Sequence, residues 1–160
     1  LYPGLMQLPL LVRLPGGDGV GSVREEMVSN VDLPATVSDL ARVTPAQEIH
    51  GRSLLPLLGR GRAGPWERRA YLTCRYGNHV CCMDDETWAI GDIHGTARDV
   101  FDLTRDPACM DPLPLDAPAT RRRWDAAWAR ILSDAGGELP DYSTTKQTDA
   151  IGQRHPGART

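Results

Sequence analysis

Apolar and polar positions alternate with two different periods along this chain, and the change between them divides it. Leu33, Val37, Leu40 and Ala41 fall at i, i+4, i+7 and i+8, which predicts a helix with one apolar stripe and with Ser38, Asp39 and Arg42 facing away. Asp32 stands where an N-cap is needed, Pro34 is tolerated just inside the start, and Pro45 stops the helix. His50-Gly51-Arg52 then turns the chain, Ser53 can cap a short helix from Leu54 to Leu58, and Gly59 closes it. Upstream, Leu8 to Arg13 is an apolar run bounded by prolines and too short for a helix, so a buried strand is expected. The glycines from Gly16 to Gly21 lead into no capped helix and bring no Lys, which makes them a surface turn rather than a phosphate cradle.

Past the basic, glycine-rich connection Gly59 to Pro65 the period becomes two. Ala70 to Cys74 places Ala70, Leu72 and Cys74 on one face. Val80 to Met83, Thr87 to Ile90 and Asp99 to Leu103 follow, with turns at Tyr76–Asn78, Asp84–Glu86 and Gly91–Gly95. This spacing predicts an antiparallel meander. Asp116 is placed to cap a helix from Ala117 to Asp134, whose stripe Trp124, Ala127, Trp128, Ile131 and Leu132 suits packing on that meander, with Arg121, Arg122, Arg123 and Arg130 towards solvent. Gly136-Gly137 ends the helix, and beyond Tyr142 the chain is polar and aperiodic, as expected of a disordered or extended tail.

Composition narrows the picture modestly. A chain of 160 residues with 41% apolar and 24% charged residues has room for one core or for parts of two. A net charge of −3 argues against nucleic acid or an anionic membrane as partner, and no apolar run has the length of a membrane span. The start, Leu1 to Gly17, lacks the features of a signal peptide, and with Leu rather than Met at position 1 the chain suits a segment of a longer protein. Cys74, Cys81, Cys82 and Cys109 include no CxxC pair, and adjacent Cys81 and Cys82 point to opposite faces of a strand, so a structural zinc site is not expected. Buried thiols are the favoured reading, and disulfides stay open.

Four stretches, in order, carry a resemblance. They are Leu1-Tyr2-Pro3-Gly4 with Leu8 to Arg13 and Pro15-Gly16; Val28-Ser29-Asn30-Val31-Asp32-Leu33; Gly51-Arg52-Ser53-Leu54-Leu55-Pro56-Leu57-Leu58; and Phe101-Asp102-Leu103-Thr104-Arg105-Asp106-Pro107. Together they resemble the late part of sulfatases and the wider alkaline-phosphatase-like hydrolases. Pro3, Ala35 and His50 depart from the family's usual Glu, Pro and Asp, and Ala108 to Asp111 departs from its E-xx-N. The resemblance implies an α/β fold: residues 1–64 as the C-terminal part of an alkaline-phosphatase-like catalytic domain, 65–137 as a small α+β subdomain of antiparallel sheet and packed helix, and 138–160 as a disordered tail.

It also implies the chemistry of sulfate-ester hydrolysis, with a phosphate- or phosphonate-ester hydrolase or a non-catalytic α+β accessory module as alternatives. In that family the nucleophile is a formylglycine made from Cys or Ser in a Cys/Ser-x-Pro/Ala-x-Arg motif. A divalent cation, usually calcium, is held by aspartates and an Asn or Gln. None of the cysteines here has that context, and the single Lys is Lys146, in the expected tail. No catalytic residue and no metal ligand is therefore assigned to this chain. By itself it is expected to bind no cation and to be inactive, its partners being a missing N-terminal catalytic portion and, for the parent enzyme, a small anionic ester. Asp84-Asp85 reads as turn chemistry, and His50, His94 and His155 as surface residues. Arg75, Asn78 and His79 are the candidates for a substrate rim, because the family's C-terminal hairpins sit beside its cleft and these side chains carry donors suited to an anionic ester.

Overall fold

The computed structural model describes residues 1–14, 16, 21–59 and 66–141. Most of the Gly16–Gly21 turn, the 60–65 connection, and Lys146, His155 and the rest of 142–160 lie outside the described residues. The chain divides into two units, one of Leu1–Leu8 with the chain from Thr73 onward, the other of Pro9–Leu72.

The first unit is an antiparallel meander, β1 (Leu72–Tyr76), β2 (His79–Met83), β3 (Thr87–Asp92) and β4 (Ala97–Asp102), in the order β1-β2-β3-β4, followed by helix α3 (Pro118–Asp134). Register brings Cys81 opposite Ile90, Met83 opposite Trp88, and Trp88 opposite Phe101. On one face Cys81, Trp88, Ile90, Phe101 and Cys109 form a buried cluster, closed by Leu1 and Met6, the latter ending a one-turn helix α1 (Pro3–Met6). The Trp88 indole donates to the Leu1 carbonyl at 2.9 Å, and Tyr2 meets Phe101 edge-on at 6.0 Å. On the other face lies α3, its stripe buried at Trp124, Ala127 and Ile131 as the periodicity requires. Gly91 leaves the room this needs: a Cβ there would lie 2.1 Å from the Trp124 ring and 2.5 Å from the Thr96 carbonyl.

The helix start differs from expectation. Asp116 makes no cap; α3 begins at Pro118 behind Ala117, which has no side chain to cap with, and the proline at the first position needs no N–H partner. Two of the arginines expected in solvent are instead bound. Arg123 donates to the Thr87 hydroxyl at 2.9 Å and to Asp102 at 3.1 Å, and Arg130 pairs with Asp84. Long arginine stems on a helix flank reach the rim of a neighbouring sheet, where strand-end acids lie within range.

The second unit reverses the expected orientation of its helix, α2 (Asp32–Ala41). Leu33, Val37 and Leu40 are exposed, at 41%, 62% and 56%, while the polar positions Asp32, Thr36 and Asp39 face the 51–55 turn. Asp32 is not the N-cap: it lies inside the first turn and is fully buried. Its carboxylate accepts from the Ser29 and Arg52 N–H groups, each at 2.8 Å, and from both Arg69 guanidinium nitrogens at 2.6 and 2.5 Å. Thr36 Oγ1 accepts from the Leu54 N–H at 2.9 Å, and the Ser53 hydroxyl donates to Asp39 at 2.7 Å. Three side chains spaced i, i+4, i+7 on α2 thus clamp the second motif, and Gly51 permits it, since a Cβ there would lie 1.8 Å from the Val31 carbonyl oxygen.

The helix ends at Ala41, before Pro45, through Arg42 in the left-handed conformation at φ 58°. Leu55–Leu58 is a 3-10 turn, closed by Gly59 at φ 70° as expected. Leu8 to Arg13 forms no strand. Leu8 and Leu11 are 75% and 94% exposed, and an extended run without a neighbouring edge to hydrogen-bond cannot make a ladder.

Candidate functional site

The β1–β2 hairpin brings the three rim candidates together at its tip. Gly77 takes φ 59° and Asn78 follows at negative φ, the pattern of the tight turn that matches strand twist, so Arg75 leaves β1 and His79 enters β2 on either side of it. Arg75 Nε donates back to the Gly77 carbonyl at 2.8 Å, stiffening the tip. Its terminal nitrogen donates to the Pro140 carbonyl, and the Asn78 amide nitrogen donates to Asp141 at 3.1 Å. The Asn78 backbone carbonyl accepts from the Ile93 N–H at 3.1 Å, tying the tip to the β3–β4 turn. Asn78 Oδ1 is withdrawn from solvent and has no hydrogen-bond partner among the described residues, while His79 is exposed. Periodicity gave no sign of Pro140 and Asp141, because a contact between a turn and a segment more than sixty residues later leaves no local pattern.

The acidic turn behind the hairpin is structural. Asp84 Oδ1 accepts from the Glu86 and Thr87 N–H groups at 2.9 and 2.7 Å, and Oδ2 accepts from Arg130. Burial pushes its carboxyl up, but Arg130 and the two N–H groups outweigh this and hold it below the usual range. Among the described residues no three His, Cys, Asp or Glu side chains lie where they could share a metal ion. Asp84 already has a cation and two backbone donors, so these residues do not fit the divalent ion that the resemblance implies. Beside the turn, a cavity of about 360 Å³ is lined by Cys82, Asp84, Thr87 and the arginines 122, 123 and 130. The bonds of Arg123 and Arg130 described above place two of those guanidiniums against Asp102 and Asp84 rather than free for a ligand.

The second, third and fourth of the sequence stretches fasten the chain to itself. Asp32 joins α2 to the turn at Arg52. Asp102 accepts from the Thr104 hydroxyl and N–H, and Asp106 from the Asp111 N–H at 2.8 Å, folding the chain back after β4, where the Leu113 N–H reaches the Val100 carbonyl at 2.8 Å.

An antiparallel sheet backed by one helix, preceded by an α2-and-turn unit, defines the C-terminal part of a sulfatase fold. Residues 1–121 match the family of N-sulphoglucosamine sulphohydrolase C-terminal domains, and the chain belongs to that family. It is 28% identical over 159 residues to arylsulfatase K of Gallus gallus, an alignment covering 92% of this chain and 29% of that protein. To the N-acetylglucosamine-6-O-sulfatase of Bacteroides thetaiotaomicron it is 33% identical over 73 residues, 44% of this chain and 13% of that one. The chain thus spans about three tenths of the length of the first relative and less of the second.

Among solved structures, a Bacteroides thetaiotaomicron protein from a locus for the metabolism of multiple glycosaminoglycans superposes with a TM-score of 0.58 over 88% of this chain and 33% of its own, at 19% identity. A second, solved in complex with its substrate D-glucosamine-2-N,6-O-disulfate, gives 0.50 over 68% of this chain and 24% of its own, also at 19% identity. At that identity the likeness establishes the fold.

Proposed function

We propose that this chain is the C-terminal segment of a hydrolase of sulfate esters, completing the core and forming part of the substrate-cleft rim while supplying neither nucleophile nor metal ligand. The observation that carries the reading is the family match, which runs through both units without a break from residue 1 to 121. The names of the relatives favour a sulfated sugar as the small anionic ester. In this reading the cation, calcium in the family, and the formylglycine belong to polypeptide outside the chain. The exposed α2 stripe and the Leu8–Val12 run are the surfaces that polypeptide covers, since apolar side chains lined up this way are seldom left in water. At the rim, Arg75 is held by Gly77 and Pro140 with its charge directed to the hairpin tip, and the exposed His79 beside it adds a donor that can approach a sulfate oxygen.

The test compares the intact polypeptide with residues 1–160 alone on an aryl sulfate, an aryl phosphate and a 6-O-sulfated glucosamine, with calcium present. Turnover of the sulfates by the intact protein is expected, with none by the segment. Arg75→Ala and His79→Ala in the intact protein are expected to raise KM several-fold with kcat little changed. Preferential phosphate hydrolysis, or turnover by the segment, overturns the reading.

A further inference from the structure

We propose that Cys74 and Cys81 are a thiol pair built to close into a reversible disulfide across the β1–β2 hairpin. The observations are those of the strand geometry. Counting outward from the Gly77–Asn78 turn pairs Tyr76 with His79, Arg75 with Val80 and Cys74 with Cys81. Directly opposed residues of an antiparallel pair have Cα atoms about 4.5 to 5.5 Å apart, inside the range of about 4.4 to 6.8 Å that a disulfide spans. Both side chains lie on the same face: Cys81 belongs to the cluster around Trp88 and Phe101, and Cys74 packs against that cluster. The other two cysteines face neither member of the pair across the hairpin. Cys82 points to the opposite face, beside Arg130, and Cys109, although part of the same buried cluster, lies in the chain that follows β4.

The two members of the pair are suited to different roles. Cys74 is half-buried on the edge strand, whereas Cys81 is fully enclosed. The neighbouring Cys81 thiol favours the Cys74 thiolate and brings it to about 7 despite partial burial. The neighbouring Cys74 and burial push the Cys81 thiol up, so it keeps its proton until its neighbour has reacted. Cys82 and Cys109 are each pushed up to about 11, chiefly by burial.

With a low-molecular-weight disulfide such as oxidised glutathione as oxidant, the Cys74 thiolate attacks one of its sulfurs. The oxidant's S–S bond breaks, and one thiolate leaves. Cys81 then gives up its proton and attacks the Cys74 sulfur of the mixed disulfide, releasing the second thiolate. Two protein thiols are oxidised, one small disulfide is reduced to two thiols, and the two protons leave with those thiols. The bond would fix edge strand β1 to β2 one residue from Arg75.

Tryptic mapping reads this out directly. Cleavage after Arg69, Arg75 and Arg98 puts Cys74 in one peptide, 70–75, and Cys81 with Cys82 in another, 76–98. The intact polypeptide is incubated with oxidised glutathione, alkylated, digested and analysed by mass spectrometry without reduction. The expected product is peptide 70–75 joined to 76–98, retained in Cys82→Ser, absent from Cys81→Ser and reversed by dithiothreitol. Native protein in which Cys74 stops at the glutathione adduct overturns the proposal. A cross-link that disappears in Cys82→Ser, or that forms only after denaturation in urea, overturns it equally. Because the decisive sample is the unmutated protein, the outcome does not depend on a variant folding.

Discussion

In the meander unit the largest side chains fully removed from water are Trp88, Phe101, Val80 and Val100, together with two thiols; in the α2 unit the largest one so removed is Asp32, a charge. The first unit buries apolar surface on both faces of a sheet. That is why β2 can carry Val80, Cys81 and Cys82 in succession, all enclosed, where a one-sided sheet would alternate. The second turns its apolar helix stripe outward and is organised round a carboxylate that accepts four hydrogen bonds, two from one guanidinium and two from backbone N–H groups. The two units are stabilised differently. A sheet with covers on both sides supplies its own hydrophobic stabilisation. An α2 unit held by a buried ion pair gains geometric definition instead, because the desolvation of both charges offsets much of their attraction.

The largest loss is expected from emptying the meander core. Phe101→Ala removes a ring that is 1% exposed and packed between Tyr2 and Trp88, and is expected to cost about 3 to 5 kcal/mol, seen as a lower denaturant midpoint. A loss below about 1 kcal/mol would mean that this cluster is not the core.

Next in size is Arg69→Ala, which leaves Asp32 buried without its cation and is expected to destabilise the α2 unit by about 3 kcal/mol. Hydrogen exchange should show the loss in the amides of α2 and residues 52–58. Replacing both partners, Asp32→Leu with Arg69→Met, is expected to cost less than the single change, and the opposite ranking would show that the pair itself stabilises. The same carboxylate sets a pH limit. Burial pushes Asp32 up, but Arg69 and the Arg52 and Ser29 N–H groups pull its folded value below the usual range. Its contribution is therefore fully present above the unfolded carboxylate value of about 3.9, and is lost as pH falls through the lower folded value. Protection of α2 amides that declined between pH 7 and 5 would contradict this.

The smallest effect is expected on the outward face of α2. Val37→Ser, on the outward stripe, is expected to change the stability of residues 1–160 by less than about 0.5 kcal/mol, the range of ordinary surface substitutions. In the intact polypeptide the same change is expected to cost more than about 1 kcal/mol, as a serine does when it replaces a buried valine. Equal values in both would show that nothing covers α2.

Much of this protein was legible from local pattern. The meander, its turns and the α3 stripe follow from periods of two and 3.6, because backbone geometry alone dictates which side chains share a face. The ordered motifs marked the family, and the hairpin that gathers Arg75, Asn78 and His79 followed from one glycine-bearing turn. Tertiary structure decided the rest. Which face of α2 turns inward depended on Arg69, thirty-seven residues away, since a carboxylate that finds a guanidinium and two N–H groups can be buried where an isolated one could not. Whether Leu8 to Arg13 became a strand depended on a neighbouring edge, which no property of the run itself supplies. That Cys74 faces Cys81 was implicit in the turn, but which of the two thiols is more open to solvent was decided by the strand order, which leaves Cys74 on edge strand β1 and encloses Cys81 in interior strand β2.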